Sequence, residues 1–141
     1  MKASGFYAIT AAQLLAMAGL LWFLFNQRGL WDVQRCLGTA LLLIGITGVA
    51  LARYQLGRSF AIKAEAHQLV THGLYSKIRN PIYVSGTILV SGFVLIFHRP
   101  ALWLLVAAII VMQVVRARRE AKVLEAAFGD AYRDYRRKTW F

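Results

Sequence analysis

Residues 67–86 read HQLVTHGLYSKIRNPIYVSG, a polar, partly basic loop that runs straight into an apolar helix. Asn80 is a favoured N-cap, Pro81 is the residue best tolerated at the first helical position, and Ile82 opens an apolar run, so a helix is expected to begin here. The amino end of such a helix presents unpaired backbone N–H groups and a partial positive charge, which suits a carboxylate or a phosphate. The plainer alternative is that Asn80-Pro81 only starts a membrane span and that Arg79 anchors it to lipid head groups.

Composition says what lies on either side of the loop. Of 141 residues, 59% are hydrophobic and only 16% charged, and the mean hydropathy is +0.53. That is too apolar for an ordinary soluble domain and indicates an integral membrane protein. There is no internal repeat, low-complexity tract or Pro/Ser-rich linker, so residues 1–141 are expected to form one domain. A net charge of +11 would suit nucleic acid. The basic residues, however, cluster at the ends of apolar runs, where anionic head groups and topology explain them better, and no nucleic-acid partner is expected. Cys36 is the single cysteine, so neither an intrachain disulfide nor a cysteine-rich metal site can form.

The expected architecture is all-α, with about four membrane spans at residues 6–25, 36–52, 82–97 and 101–115. The first run is too long for a signal-peptide core and lacks an obvious cleavage site before the polar residues that follow, so it reads as a retained span. Its strongly polar side chain, Gln13, suits a hydrogen bond to a neighbouring helix. Gly38, Gly45 and Gly48 in the second run offer close-approach positions for another helix. His98-Arg99-Pro100 reads as the tight turn of a helical hairpin between the last two spans. Positive charge is heaviest between Arg53 and Arg79 and after Val115, which puts both termini, the long loop and the tail on the cytoplasmic side. The tail carries Leu124, Phe128, Tyr132 and Tyr135 at near-helical spacing, interrupted at Gly129-Asp130, with basic residues opposite: an amphipathic, interfacial helix.

Chemistry must come from the polar loop and the tail, and the common catalytic sets are missing from both. There is no Walker loop, no G-x-G-x-x-G after a strand, no G-x-S-x-G elbow and no His/Cys metal spacing. His67 and His72 lie five apart in a loop, a spacing that does not favour a shared metal, and no metal is expected. Arg116 and Glu120 remain, four apart on one helical face at the end of the fourth span. They are either a weak surface ion pair or groups turned towards the bundle interior.

These residues carry a resemblance. The pattern H-x-L-V-T-x-G-x-Y-x-x-x-R-N-P-x-Y-x-x-G, a hydrophobic hairpin, and then R-x-x-x-E-x-x-x-L-x-x-x-F-G-x-x-Y-x-x-Y resembles the isoprenylcysteine carboxyl methyltransferase family and its phospholipid methyltransferase relatives. The likeness runs from Gln55-Leu56-Gly57-Arg58-Ser59-Phe60 to the end of the chain. It implies S-adenosylmethionine as cofactor, held at the cytoplasmic membrane surface by His67, Gln68, Leu69, Val70, Tyr75, Asn80, Pro81, Ile82, Tyr83 and Glu120, with Arg116 as the substrate-binding arginine. Two positions depart from the family pattern: Asn80 stands where eukaryotic members usually have His, and Ala121 where a second Glu often follows the first.

Physical chemistry is compatible with that implication, because methyl transfer from a sulfonium to a carboxylate is an in-line displacement that needs positioning more than acid–base help. Arg116 can hold a carboxylate by two parallel hydrogen bonds. The expectation is therefore a multi-pass methyltransferase, in a bacterial inner membrane, whose lipid-linked, for instance prenylated, carboxylate acceptor enters laterally from the membrane lipids. Three alternatives stand beside it. A phospholipid amine could be the acceptor, a C-terminal G-x-Y…R-x-P-x-Y pattern also occurs in NADPH-dependent membrane sterol reductases, and four short spans are compatible with a small transporter.

Overall fold

The computed structural model describes residues 32–56 and 69–141, together with Leu15, Ala18, Gly19, Trp22 and Asn26. The chain divides into two compact units, Met1–Asp32 and Val33–Phe141. In the first, the five described positions before Asp32 have helical backbone, and Leu15 and Trp22 are exposed. The rest of the expected first span, with Gln13, lies outside the described residues.

The second unit is helical. Its elements are α1 (Val33–Leu56), a 3-10 helix (Gly73–Ser76), α2 (Pro81–Phe97), α3 (Leu102–Phe128) and α4 (Asp130–Lys138). Among the described residues there is no strand, only an isolated parallel bridge between Ile78 and Trp140. α1 is longer than the expected 36–52 because its ends take in Arg35 and Arg53, which a hydropathy reading leaves out. Among the described helices it is the one long and apolar enough to cross a membrane, while α2 is an apolar helix of 17 residues.

α1 and α2 pack against each other through the glycines. A Cβ on Gly38 would lie 2.8 Å from the Gly92 carbonyl oxygen, one on Gly45 would lie 2.5 Å from the Leu89 nitrogen, and one on Gly48 would collide with Ser85. Residue numbers rise on α1 as they fall on α2, so the two helices are antiparallel. Gln34 near one end extends the register by donating from Nε2 to the Leu95 carbonyl at 3.2 Å. Backbones this close bring many atoms into van der Waals contact, the main source of helix association in lipid. Leu42, which packs against Gly92, is buried along this seam.

The turn after α2 forms at His98-Arg99-Pro100, as its composition suggests. His98 takes the left-handed conformation at φ 52°, and the Leu102 and Trp103 amides close the turn on the Arg99 and Pro100 carbonyls. α3 then departs from expectation, because it does not end near Val115 but continues to Phe128. The segment 116–128, RARREAKVLEAAF, is made of strong helix formers and contains neither glycine nor proline. The apolar fourth run and the first half of the tail are thus one helix about 40 Å long.

Gly129 ends it with φ 52° and ψ −121°, a conformation suited to glycine, and α4 starts at the next residue. Arg133 spans the corner, donating to Glu125 and to Asp130 at 3.0 Å each. All three side chains are exposed enough that solvent screens the network and it adds little to stability. In α4, Asp130 sits in the first turn and Arg136, Arg137 and Lys138 in the last, which complements the helix dipole.

Candidate functional site at the start of helix α2

Pro81 is the first residue of α2 and is fully buried. Asn80 stands at the N-cap, but its side chain makes no capping hydrogen bond, which corrects the expectation drawn from its residue type. The reason lies in the chain's last residues. The Asn80 amide donates to the Phe141 carbonyl at 3.0 Å, the Arg79 amide to the Trp140 carbonyl at 3.0 Å, and the Trp140 amide to the Lys77 carbonyl at 2.9 Å. These three backbone bonds hold the loop against the strap formed by Trp140 and Phe141, so the Asn80 backbone is set by the strap rather than by its own side chain. The Asn80 side-chain amide is thus not used in capping, and beside it Arg79 Nε is buried without a hydrogen-bond partner among the described residues.

The 3-10 helix upstream is fixed by α1. Gln55 accepts from the Leu74 amide through Oε1 at 2.7 Å, and its side-chain amide lies flat against Gly73. Gly73 has φ +60°, and a Cβ there would collide with Gln55, so the glycine of the G-x-Y motif is needed both for its conformation and for this close approach. The clamp orients Tyr75, which is buried. Burial pushes the Tyr75 phenol well above its ordinary range, with the neighbouring Tyr135, Glu120 and Tyr83 adding to the effect.

α4 supports the same loop from below. Tyr132 and Tyr135 are buried, and the Tyr135 hydroxyl donates to the Tyr75 carbonyl at 2.8 Å. The apolar stripe of the tail therefore packs on protein at these two positions, where sequence periodicity alone suggests an interfacial face. Burial pushes the Tyr135 phenol up to about 12, with Tyr132 reinforcing the shift and Arg79 opposing it.

α3 closes the group from the other side. The Tyr83 hydroxyl, in the first turn of α2, donates to Glu120 Oε1 at 2.6 Å, a short charge-assisted bond between half-buried groups. One turn earlier on α3, the exposed Arg116 lies within electrostatic range of the Tyr83 phenol. Further along the same pair of helices, Thr87 Oγ1 bonds Gln113 Oε1 at 2.9 Å.

Of the candidate residues, Tyr75, Tyr83, Glu120 and Arg116 come together, with Asn80, Pro81 and Ile82 at the adjoining helix start. Leu69 and Val70 are half-buried in irregular chain before the 3-10 helix. His67 and Gln68 lie outside the described residues. Sequence reasoning missed Thr87 and Gln113 as a polar link between helices. Gln113 was the readable sign, a polar side chain inside the apolar run IIVMQVV. It also missed the Trp140–Phe141 strap, for which backbone bonding leaves no side-chain signal.

Neither a comparison with curated proteins nor one with solved structures gives a match. A family model described as phospholipid methyltransferase matches residues 33–131. That span runs from the start of α1 to the start of α4 and contains every candidate residue. With more than half of its length matched, the chain belongs to the phospholipid methyltransferase family, membrane proteins that transfer methyl groups to lipid-related substrates.

Proposed function

We propose that the chain is an S-adenosylmethionine-dependent methyltransferase acting at the membrane surface on a lipid-linked carboxylate, with an isoprenylated cysteine as the model acceptor. The observation that carries this reading is the 2.6 Å bond from Tyr83 to Glu120, one helical turn from Arg116. It joins the helix start of the loop motif to the helix carrying R-x-x-x-E, so two motifs 37 residues apart line one site. The residues present fit the cofactor's polar ends. Among the described residues Arg79 Nε is a buried donor without a hydrogen-bond partner and the Asn80 side chain does no capping, both beside a helix start that favours an anion such as a carboxylate.

The residues that would hold the cofactor are His67, Gln68, Leu69, Val70, Tyr75, Asn80, Pro81, Ile82, Tyr83 and Glu120. When bound, S-adenosylmethionine supplies a methyl group on a sulfonium. This chain's part is then to orient and to exclude water: Tyr83 fixes the Glu120 carboxylate, the Tyr75 ring stands as a buried wall, and Arg116 grips the acceptor carboxylate through its two-donor fork. The exposure of Arg116 suits a group that meets a substrate arriving from the lipid side. The four-span topology, with the loop on the cytoplasmic face, belongs to the same proposal.

A second reading, favoured by the family's description as phospholipid methyltransferase, takes a phospholipid amine as the acceptor. An amine must first present a neutral lone pair, and Glu120 is the carboxylate at hand to accept a proton. One experiment separates the two. Methyl transfer by the wild type and by Arg116→Lys is measured on a panel of lipid-linked carboxylates and phospholipid amines, with binding of S-adenosylmethionine followed in parallel. The carboxylate reading expects turnover to fall at least tenfold in Arg116→Lys at near-constant cofactor affinity, because lysine keeps the charge but loses the planar fork. Near-normal turnover of Arg116→Lys on the best acceptor refutes the clamp, and activity confined to amines moves the chain to the phospholipid side of the family.

A further inference from the structure

An open groove of about 630 Å³ lies beside the strap, lined by Lys77, Ile78, Arg137, Lys138, Thr139 and Trp140. Its volume falls in the range of small-molecule sites, about 300–1,000 Å³. Two chain segments some sixty residues apart form it, joined by the Ile78–Trp140 bridge and the Trp140-to-Lys77 backbone bond. We infer that this groove binds the phosphodiester head group of an anionic membrane phospholipid, a site separate from the one that carries the chemistry. The inference rests on the reading of the chain as membrane-embedded.

Charge is the first argument. Three of the six lining residues are cationic and none is acidic. Among the described residues neither Lys77 nor Lys138 has an acidic partner. Arg137 reaches Asp134 only at 3.7 Å, with both side chains largely exposed, an arrangement that neutralises little. Three like charges converging on one groove are stabilised by an anion supplied from outside.

Position and surface chemistry select a lipid over a free anion. Trp140 is 62% exposed at the rim, and Phe141 stands edge-on to it with ring centroids 6.2 Å apart. An exposed aromatic pair beside a basic cluster is the pattern of side chains that sit at head-group depth. Three residues beyond Ile78, the chain enters apolar α2 at Pro81, so the groove lies where that helix would meet the bilayer surface. A groove this open offers a small free anion little enclosure, whereas a head group tethered in the bilayer needs none.

The test uses the full-length protein in phosphatidylcholine nanodiscs, with a minor fraction of the lipid replaced by dibrominated phosphatidylglycerol or dibrominated phosphatidylcholine. Bromine quenches nearby tryptophan, and the Trp140 signal is the difference between the wild type and Trp140→Phe. The expected result is stronger quenching of Trp140 by the anionic lipid at equal mole fraction. Lys77→Gln and Lys138→Gln, at exposed positions where folding is little affected, should each cut that preference about fivefold, and adding inorganic phosphate should not change it. Equal quenching by both lipids overturns the proposal, as does loss of the preference on adding phosphate, which would mark a free-anion site. Absence of quenching at every tryptophan by either lipid is a different failure, one that overturns the membrane reading beneath it.

Discussion

A methyl group added at Gly45 tests whether close contact between α1 and α2 holds the two helices together. The new Cβ would lie 2.5, 2.6 and 2.7 Å from the nitrogen, Cα and Cβ of Leu89. Two of these are backbone atoms of a helix and cannot swing aside, so restoring ordinary contact distances requires the helices to part by roughly 1 Å. Such a gap forfeits about a quarter to a half of each dispersion contact; over on the order of fifty contacts of ~0.15 kcal/mol the loss is about 2–4 kcal/mol. Replacing glycine by alanine inside a helix returns about 1 kcal/mol of propensity, leaving Gly45→Ala destabilised by about 2 kcal/mol. Gly86→Ala on α2 is the matched control, because among the described residues its Cβ would meet only Gln113 Nε2 at 3.7 Å, and it should be neutral or stabilising. Thermal unfolding of both variants in the same detergent, followed by circular dichroism, gives the comparison. Equal stability of Gly45→Ala and Gly86→Ala would refute the packing argument.

Tyr83→Phe deletes the donor of the 2.6 Å bond and leaves the half-buried Glu120 with one partner fewer, so stability should fall by about 1.5–3 kcal/mol and, on the proposed reading, calorimetry should show weaker S-adenosylmethionine binding. Glu120→Gln should weaken cofactor binding with helical content unchanged by circular dichroism, since a neutral isostere at this position can still accept from Tyr83. Tyr135 is raised from 10.0 to about 12, so its contribution to stability is fully present below pH 10 and is lost as pH rises towards 12. In Tyr135→Phe the melting temperature should fall less over that interval, though some fall remains because Tyr75 is raised as well. The Cβ of Gly129→Ala would meet no other atom within 4 Å among the described residues, but the variant keeps an unfavourable φ of +52°, so unfolding measurements should show a loss of about 1–3 kcal/mol from the backbone.

What could be read from the sequence was what local chemistry controls. Pro81 marked the start of α2, His98-Arg99-Pro100 marked the turn after it, Gly129 marked the break in the tail, and the three glycines of α1 marked a helix contact. The sequence did not say which helix they contact, because small residues show only that something comes close. The length of α3 was hidden by the hydropathy change at Arg116, which alters the surroundings of a helix without ending it. Side-chain capping by Asn80 was a reasonable reading of its type, overridden by a strap about sixty residues away that acts through backbone atoms alone. The Tyr132–Tyr135 stripe showed an amphipathic helix, and periodicity cannot tell a lipid surface from a loop of the same protein. Tyr83 and Glu120 could be associated only through the resemblance, as nothing local links residues 37 apart.

The distribution of polar groups along the helices ties the site to a boundary. Because α1 and α2 are antiparallel, Gln55 at the end of one comes beside the 3-10 helix and the start of the other, and Arg116 and Glu120 of α3 meet them at that same end. Between this end and the opposite one, α1 exposes Leu43, Ile44 and Leu51, and α3 exposes Leu104, Leu105, Ile110, Val111 and Met112. Apolar surface on that scale would drive a protein in water to associate, whereas in a bilayer it meets a solvent of its own kind. The proposed reaction needs such a division, because its cofactor is charged and water-borne while its acceptor is held by hydrocarbon. A site reached from water at the helix ends and from lipid along the helix sides lets both reactants arrive without either crossing the other's solvent. On that proposal Arg116, exposed on α3 one turn from the Glu120–Tyr83 bond, stands where those two approaches converge.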